Sequence, residues 1–140
     1  MSKKIKSIQD PRLIWYDGQI SLLPMPDRSV TAVFMFQILS EFGQHGDRQT
    51  LLREIRRILE PDGRLLIAEQ TASWLNWLLV GTSSAKLQPA EYWHDLLLEA
   101  SFEIHRQENI QGLINLIRAD KPSPYAGHQL PLHLKFPETY

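Results

Sequence analysis

Residues 47–70 read DRQTLLREIRRILEPDGRLLIAEQ, and this stretch decides the class of fold. Leu51, Leu52, Ile55, Ile58 and Leu59 recur at helical spacing, with Arg53, Glu54, Arg56, Arg57 and Glu60 on the opposite side. The pattern predicts an amphipathic helix with an apolar face toward a core and a solvated charged face. Asp47 is a good N-cap, and Pro61-Asp62-Gly63 stops the helix. The run RLLIAEQ (64–70) that follows has the apolar density of a buried strand.

Working outward, VTAVFMF (30–36) is a continuous apolar, β-branched and aromatic run. Such a run suits a strand buried on both faces at the centre of a sheet. Downstream, PAEYWHDLLLEAS sets Trp93, Leu96, Leu97 and Ala100 at helical spacing, with Pro89 near the start. FEIHRQEN alternates as an edge strand does, and GLINLIRAD (112–120) supplies one more apolar run. Strand, helix, strand, helix, strand, strand is an α/β layout with a mostly parallel sheet and flanking helices. Residues 1–121 are expected to form one domain, with residues 122–140 a Pro-rich extension.

Composition narrows the function. The 140 residues carry 15 Lys+Arg and 16 Asp+Glu, a net charge of −1, so nothing draws the chain to nucleic acid or to an anionic membrane. Without cysteine there is no disulfide framework, thiolate metal site or cysteine nucleophile. The five histidines, at positions 45, 94, 105, 128 and 133, have no metal-ligand spacing, and no metal site is expected. His94 is expected on a helix flank and His105 on the solvent side of an edge strand. MSKKIKSIQD lacks the apolar stretch of a signal peptide and no run reaches the roughly twenty apolar residues of a membrane span, so a cytoplasmic protein is expected.

The ordered series LPMPDRSVTAVFMFQILSEF, LLREIRRILEPDGRLLIAEQ, LLLEASFEIHRQ and INLIRADKP resembles the later part of the class I S-adenosylmethionine-dependent methyltransferases, the small-molecule type. The likeness runs from about residue 18 to residue 121. It implies an incomplete Rossmann-like methyltransferase sheet, mostly parallel with its last strand antiparallel. It also implies S-adenosylmethionine as cofactor and methyl transfer to an acceptor the sequence does not name. In that family the cofactor lies on a Gly-rich turn after the first strand, with an acidic residue ending the next strand to hold the ribose hydroxyls. This sequence has no G-x-G-x-G, and about ten residues precede Pro11, too few for a strand, a helix and a second strand. The sequence therefore reads as a methyltransferase-like domain without its Gly-rich part. The alternative is a non-catalytic interaction or scaffold module on the same sheet.

Aligned on Leu23-Pro24, the resemblance places Gly18, Gln19 and Ile20 at the family's cofactor-binding Gly-Asp-Ala, with Gln19 in place of the adenine-binding carboxylate. A second reading of the same residues rests on pattern alone. Asp17-Gly18 between two alternating apolar runs is a hairpin signal, pairing 12–16 with 19–23. Ser40-Glu41 follows the VTAVFMF strand, and Glu41 is expected to be solvated or capping rather than a base. No catalytic residue is assigned, because methyl transfer depends mainly on alignment. SWLNWLLVG (73–81) is either a core helix or a substrate or subunit interface. The resemblance places Ser101 where the family's A-G-F has glycine, usually a left-handed helix-end position, implying either a different ending or strain of about 1 kcal/mol. In the family's sheet VTAVFMF is flanked on one side by the first strand, and with no Lys, Pro or Glu to blunt that edge either the N-terminal ribbon folds across it or a second copy pairs with it; a homodimer is the expected assembly.

Overall fold

A computed structural model describes residues 11–12, 21–82 and 87–122. The expected Asp17-Gly18 hairpin, the Gly18–Gln19–Ile20 segment and the extension beyond Pro122 lie outside the described residues. The elements follow in the order β1 (Val30–Phe36), a 3-10 turn (Leu39–Glu41), α1 (His45–Ile58), β2 (Leu59–Gln70), α2 (Trp74–Val80), α3 (Ala90–Glu99), β3 (Glu103–Ile110) and β4 (Ile114–Asp120).

The four strands form one sheet in the order β1-β2-β4-β3. β1 runs parallel to β2, with Phe34 opposite Leu66 and Phe36 opposite Ala68. β4 is antiparallel to β2 and to β3, so β1, β2 and β3 share one direction and the last strand is inserted against them. The α/β class and the reversed last strand are as read from the sequence. Two neighbouring parallel strands need a crossover, and α1 supplies it.

The apolar stripe of α1 does what its spacing predicts. Leu51, Leu52 and Ile55 enter one core with Leu59, Leu65 and Ile67 of β2, Ile117 and Ala119 of β4, and Trp93, Leu96 and Leu97 of α3. α3 ends in a Schellman motif: the Phe102 N–H donates to the Leu97 carbonyl at 3.0 Å and Ser101 N–H to that of Leu98 at 2.9 Å. Ser101 sits at φ +62°, so the helix keeps the left-handed ending and tolerates the strain.

Several expectations are corrected. α1 begins at His45, two residues before Asp47, and its N-cap is Gln44, with no side-chain hydrogen bond there. It ends at Ile58, and Leu59 already belongs to β2, so Pro61-Asp62-Gly63 forms an irregularity in the β1–β2 register rather than the helix stop. Gly63 is required there by close approach: a Cβ would lie 2.7 Å from the Glu60 carbonyl oxygen.

The charged face of α1 is not merely solvated either. Arg57 donates to the carbonyls of Leu23 and Met25 and to Asp27 and Glu54, and Glu54 accepts the Leu23 N–H at 3.0 Å. The Leu23–Asp27 segment is thereby tied to the helix. The same contacts hold the Glu54 carboxyl below the ordinary carboxylate range, through the Arg57 hydrogen bond first and the Leu23 N–H second.

β1 is not covered on both faces by the described residues. Met35 is buried, but Phe34 and Phe36 are 62% and 64% exposed, and among the described residues β1 is an edge of the sheet. Apolar content records which side chains favour burial, not which elements arrive to cover them. Here the long helices α1 and α3 share a core with one face. The other face carries a concavity of about 500 Å³ lined by Phe34, Phe36, Leu66 and Leu116, with Arg106 and Arg118 at its border.

Candidate functional site at the ends of the parallel strands

In open α/β sheets, ligands bind beyond the carboxyl ends of parallel strands. At that end of β1 the chain reverses at Gln37, whose φ is +54°, and enters the Leu39–Glu41 turn. Gln37 N–H still donates to the Ala68 carbonyl at 2.7 Å, so the reversal begins while the strand remains paired.

Glu69, fully buried on β2, holds this turn from below: its Oε1 accepts the Leu39 N–H at 2.8 Å. Burial pushes the Glu69 carboxyl above its ordinary value, while hydrogen bonds from Leu39 and Ser40 and the nearby positive Arg48 act in the opposite direction. Oε2 is buried without a hydrogen-bond partner, as is Nδ2 of Asn115, the residue paired with Glu69 across β4.

Arg48 grips the other side of the turn. Its Nε donates to the Leu39 carbonyl at 2.9 Å and its Nη1 to the Tyr92 hydroxyl at 2.8 Å. The guanidinium lies 5.3 Å and 5.2 Å from the ring centroids of Tyr92 and Trp93, within cation–π range. His45 continues the chain of contacts, with Nδ1 3.0 Å from the Tyr92 hydroxyl and Nε2 2.8 Å from Glu99. Gln49 donates to the same Glu99 oxygen at 2.9 Å. Leu39 is thus held through both its N–H and its carbonyl, by a buried carboxyl and a buried guanidinium on different elements. Such a mount fixes the position of Gln37, Ser40 and Glu41 above it, as an aligning site requires.

Sequence reasoning missed Glu69, Arg48 and Tyr92. Glu69 fell within the run read as a buried strand, Arg48 and Tyr92 were given no role, and their meeting depends on the β1–β2 register and on α3. A buried glutamate inside RLLIAEQ was the only available signal. Glu41 is exposed, in agreement with its solvated reading. His94 lies on α3, and His105 stands on the edge strand β3 with 45% of its side chain exposed, 3.5 Å from Asp120. Among the described residues no three His, Cys, Asp or Glu side chains stand together as metal ligands. No helix of the described residues is long and apolar enough to cross a membrane.

The segment after β2 is a helix with its apolar residues outward. Trp74 and Trp77 are 76% and 62% exposed, and Leu78 and Leu79 are also exposed. The buried residue is Asn76, whose Nδ2 donates to the carbonyls of Thr71 and Leu113 at 2.7 and 3.0 Å. Ser73 caps the helix by accepting the Asn76 N–H. Of the two readings of SWLNWLLVG, the core helix is not what forms.

A family model for the methyltransferase domain matches residues 2–67. A solved S-adenosylmethionine-dependent methyltransferase from Aquifex aeolicus is similar with a TM-score of 0.64 and 17% identity, over 76% of this chain and 53% of its own. One from Methanosarcina mazei gives 0.63 and 19%, over 76% and 66%. The 4+2 cyclase SpnF gives 0.63 and 19%, over 76% and 54%. This chain thus spans between about half and two thirds of the length of these structures. None of the curated proteins matches the sequence significantly. The fold is that of these solved S-adenosylmethionine-dependent methyltransferases, and the resemblance is borne out in the fold and, over residues 2–67, in the match to the family model.

S-adenosylmethionine is the cofactor this resemblance implies. The described residues do not by themselves fit it. At the mouth the polar groups are Gln37, Ser40 and Glu41, and no described strand lies beyond β1, where the resemblance places the Gly-rich turn and the ribose-binding acid.

Proposed function

We propose that this chain is the part of an S-adenosylmethionine-dependent methyltransferase domain that shapes the acceptor side, and that alone it holds the cofactor weakly. The mount of Leu39 by Glu69 and Arg48 carries this reading. It holds the turn after β1 rigidly at the carboxyl ends of two parallel strands, where such a domain aligns its reactants. When bound, the cofactor supplies an activated methyl group, and the protein's own contribution is alignment. The adenine-side position that the resemblance aligns on Leu23-Pro24 is Gln19, a residue type whose amide oxygen can accept a hydrogen bond without the charge of a carboxylate.

Calorimetric titration with S-adenosylmethionine and S-adenosylhomocysteine tests this. The expected dissociation constants are weaker than about 10 μM, equivalent to roughly 7 kcal/mol. Tighter binding would show that the chain builds a complete cofactor site and would overturn the weak-binding reading.

A second reading is a non-catalytic interaction module on the same scaffold. The outward apolar helix α2 and the aromatic face of β1 that the described residues leave exposed favour it, since a monomer gains nothing from exposing them. The similarity to a 4+2 cyclase also shows that this fold does not dictate one chemistry.

A further inference from the structure

We propose that two copies of this chain pair antiparallel through β1, about a two-fold axis at Phe34, joining their sheets into one. The inference does not rest on methyl transfer, and it places the second copy at the edge of β1 where the resemblance puts the Gly-rich turn. In a parallel pair, alternate residues of a strand turn their N–H and C=O toward the neighbour. Gln37 N–H donates to Ala68 of β2, so Met35 and Val33 also face β2, while Ala32, Phe34 and Phe36 turn theirs away from it. Among the described residues these outward groups meet no other strand. The strand VTAVFMF holds no charge and no proline to discourage pairing.

The register is self-complementary. With the axis at Phe34, Phe34 faces its own copy and Ala32 faces Phe36 of the second copy, so a small side chain stands opposite a large one on the same sheet face. All three positions are those with outward backbone groups, allowing about six inter-chain hydrogen bonds. The two Phe34 rings then meet as a cross-strand aromatic pair. Phe34 and Phe36 each leave more than 60% of their surface exposed, on the order of 100–150 Å² apiece. That area is available to a second copy without any core rearrangement.

The absence of cysteine makes the register directly testable. Directly opposed, hydrogen-bonded residues lie about 5.5 Å apart at Cα, within the range a disulfide spans. Phe34→Cys is expected to give a covalent dimer on mild oxidation. Ala32→Cys alone is not, whereas Ala32→Cys combined with Phe36→Cys is. The unmodified protein should scatter light as twice its 16.2 kDa at micromolar concentration, and Phe34→Lys, at an exposed position, should give a monomer with an unchanged circular dichroism spectrum. A monomeric wild type with the amides of Ala32, Phe34 and Phe36 protected from exchange would assign the edge to the chain's own residues and overturn the proposal. So would a dimer that survives Phe34→Lys, or one cross-linked by Ala32→Cys alone.

Discussion

At the level of single residues, the groups that set the site are those whose environment opposes their ordinary chemistry. Glu69 is a carboxyl held above its usual value by burial. A carboxyl of this kind keeps its proton in the folded state over a pH range where the unfolded chain has lost it. The folded state then binds more protons, and stability falls as pH rises from about 4.5, the ordinary value, through the raised one. Glu69→Gln removes that titration. Denaturant unfolding at a series of pH values is expected to show a flatter pH dependence for the variant across this window, and parallel curves would refute the assignment. Ser101 offers a separate test. With φ at +62° in a helix ending that favours glycine, Ser101→Gly is expected to raise stability by about 0.5–1 kcal/mol, visible as a higher denaturant midpoint with an unchanged slope. The family likeness marked Ser101 as standing in place of a helix-end glycine, and the structure decided that the left-handed ending is kept. The buried Glu69 was not, because its partner Leu39 is thirty residues away in the chain.

Among the elements, α1 couples three parts of the molecule. Its apolar face enters the core, its first turns hold the Leu39 carbonyl through Arg48, and its last turns hold residues 23–27 through Arg57 and Glu54. Truncating the buried Leu52 to alanine is expected to cost about 2–5 kcal/mol of unfolding free energy, from lost burial and the cavity left behind. Arg57→Ala is expected to act locally. The Leu23 amide should exchange faster with solvent while amides in β2 and β4 keep their protection, as hydrogen-exchange mass spectrometry would report. Uniform loss of protection would mean that the clamp supports the whole fold. The core stripe of α1 was legible at helical spacing, but Arg57 read as one charge among several. Whether a surface arginine is solvated or clamps a distant segment depends on what tertiary packing brings beside it.

For the whole molecule, the described sheet has one face joined to helices and one aromatic face open. A chain folded in this way is expected to bind an apolar dye such as anilinonaphthalene sulfonate in its native state, with the signal lowered by Phe36→Lys at constant helix content. An equal signal from the variant would place the dye elsewhere. By itself, the sequence determined the α/β class, the order of elements, the apolar faces of α1 and α3, and the reversed last strand through its family likeness. These are local or pattern properties, since a periodicity of 3.6 or an unbroken apolar run is set by neighbours along the chain. Only the tertiary structure decided that Glu69 and Arg48 meet around Leu39, that Trp74 and Trp77 point outward while Asn76 turns in, and that Phe34 is largely exposed on a face the described residues leave open. Each of these depends on which distant element arrives at a given surface. Hydrophobicity measures how strongly a side chain favours burial and carries no information about what will cover it.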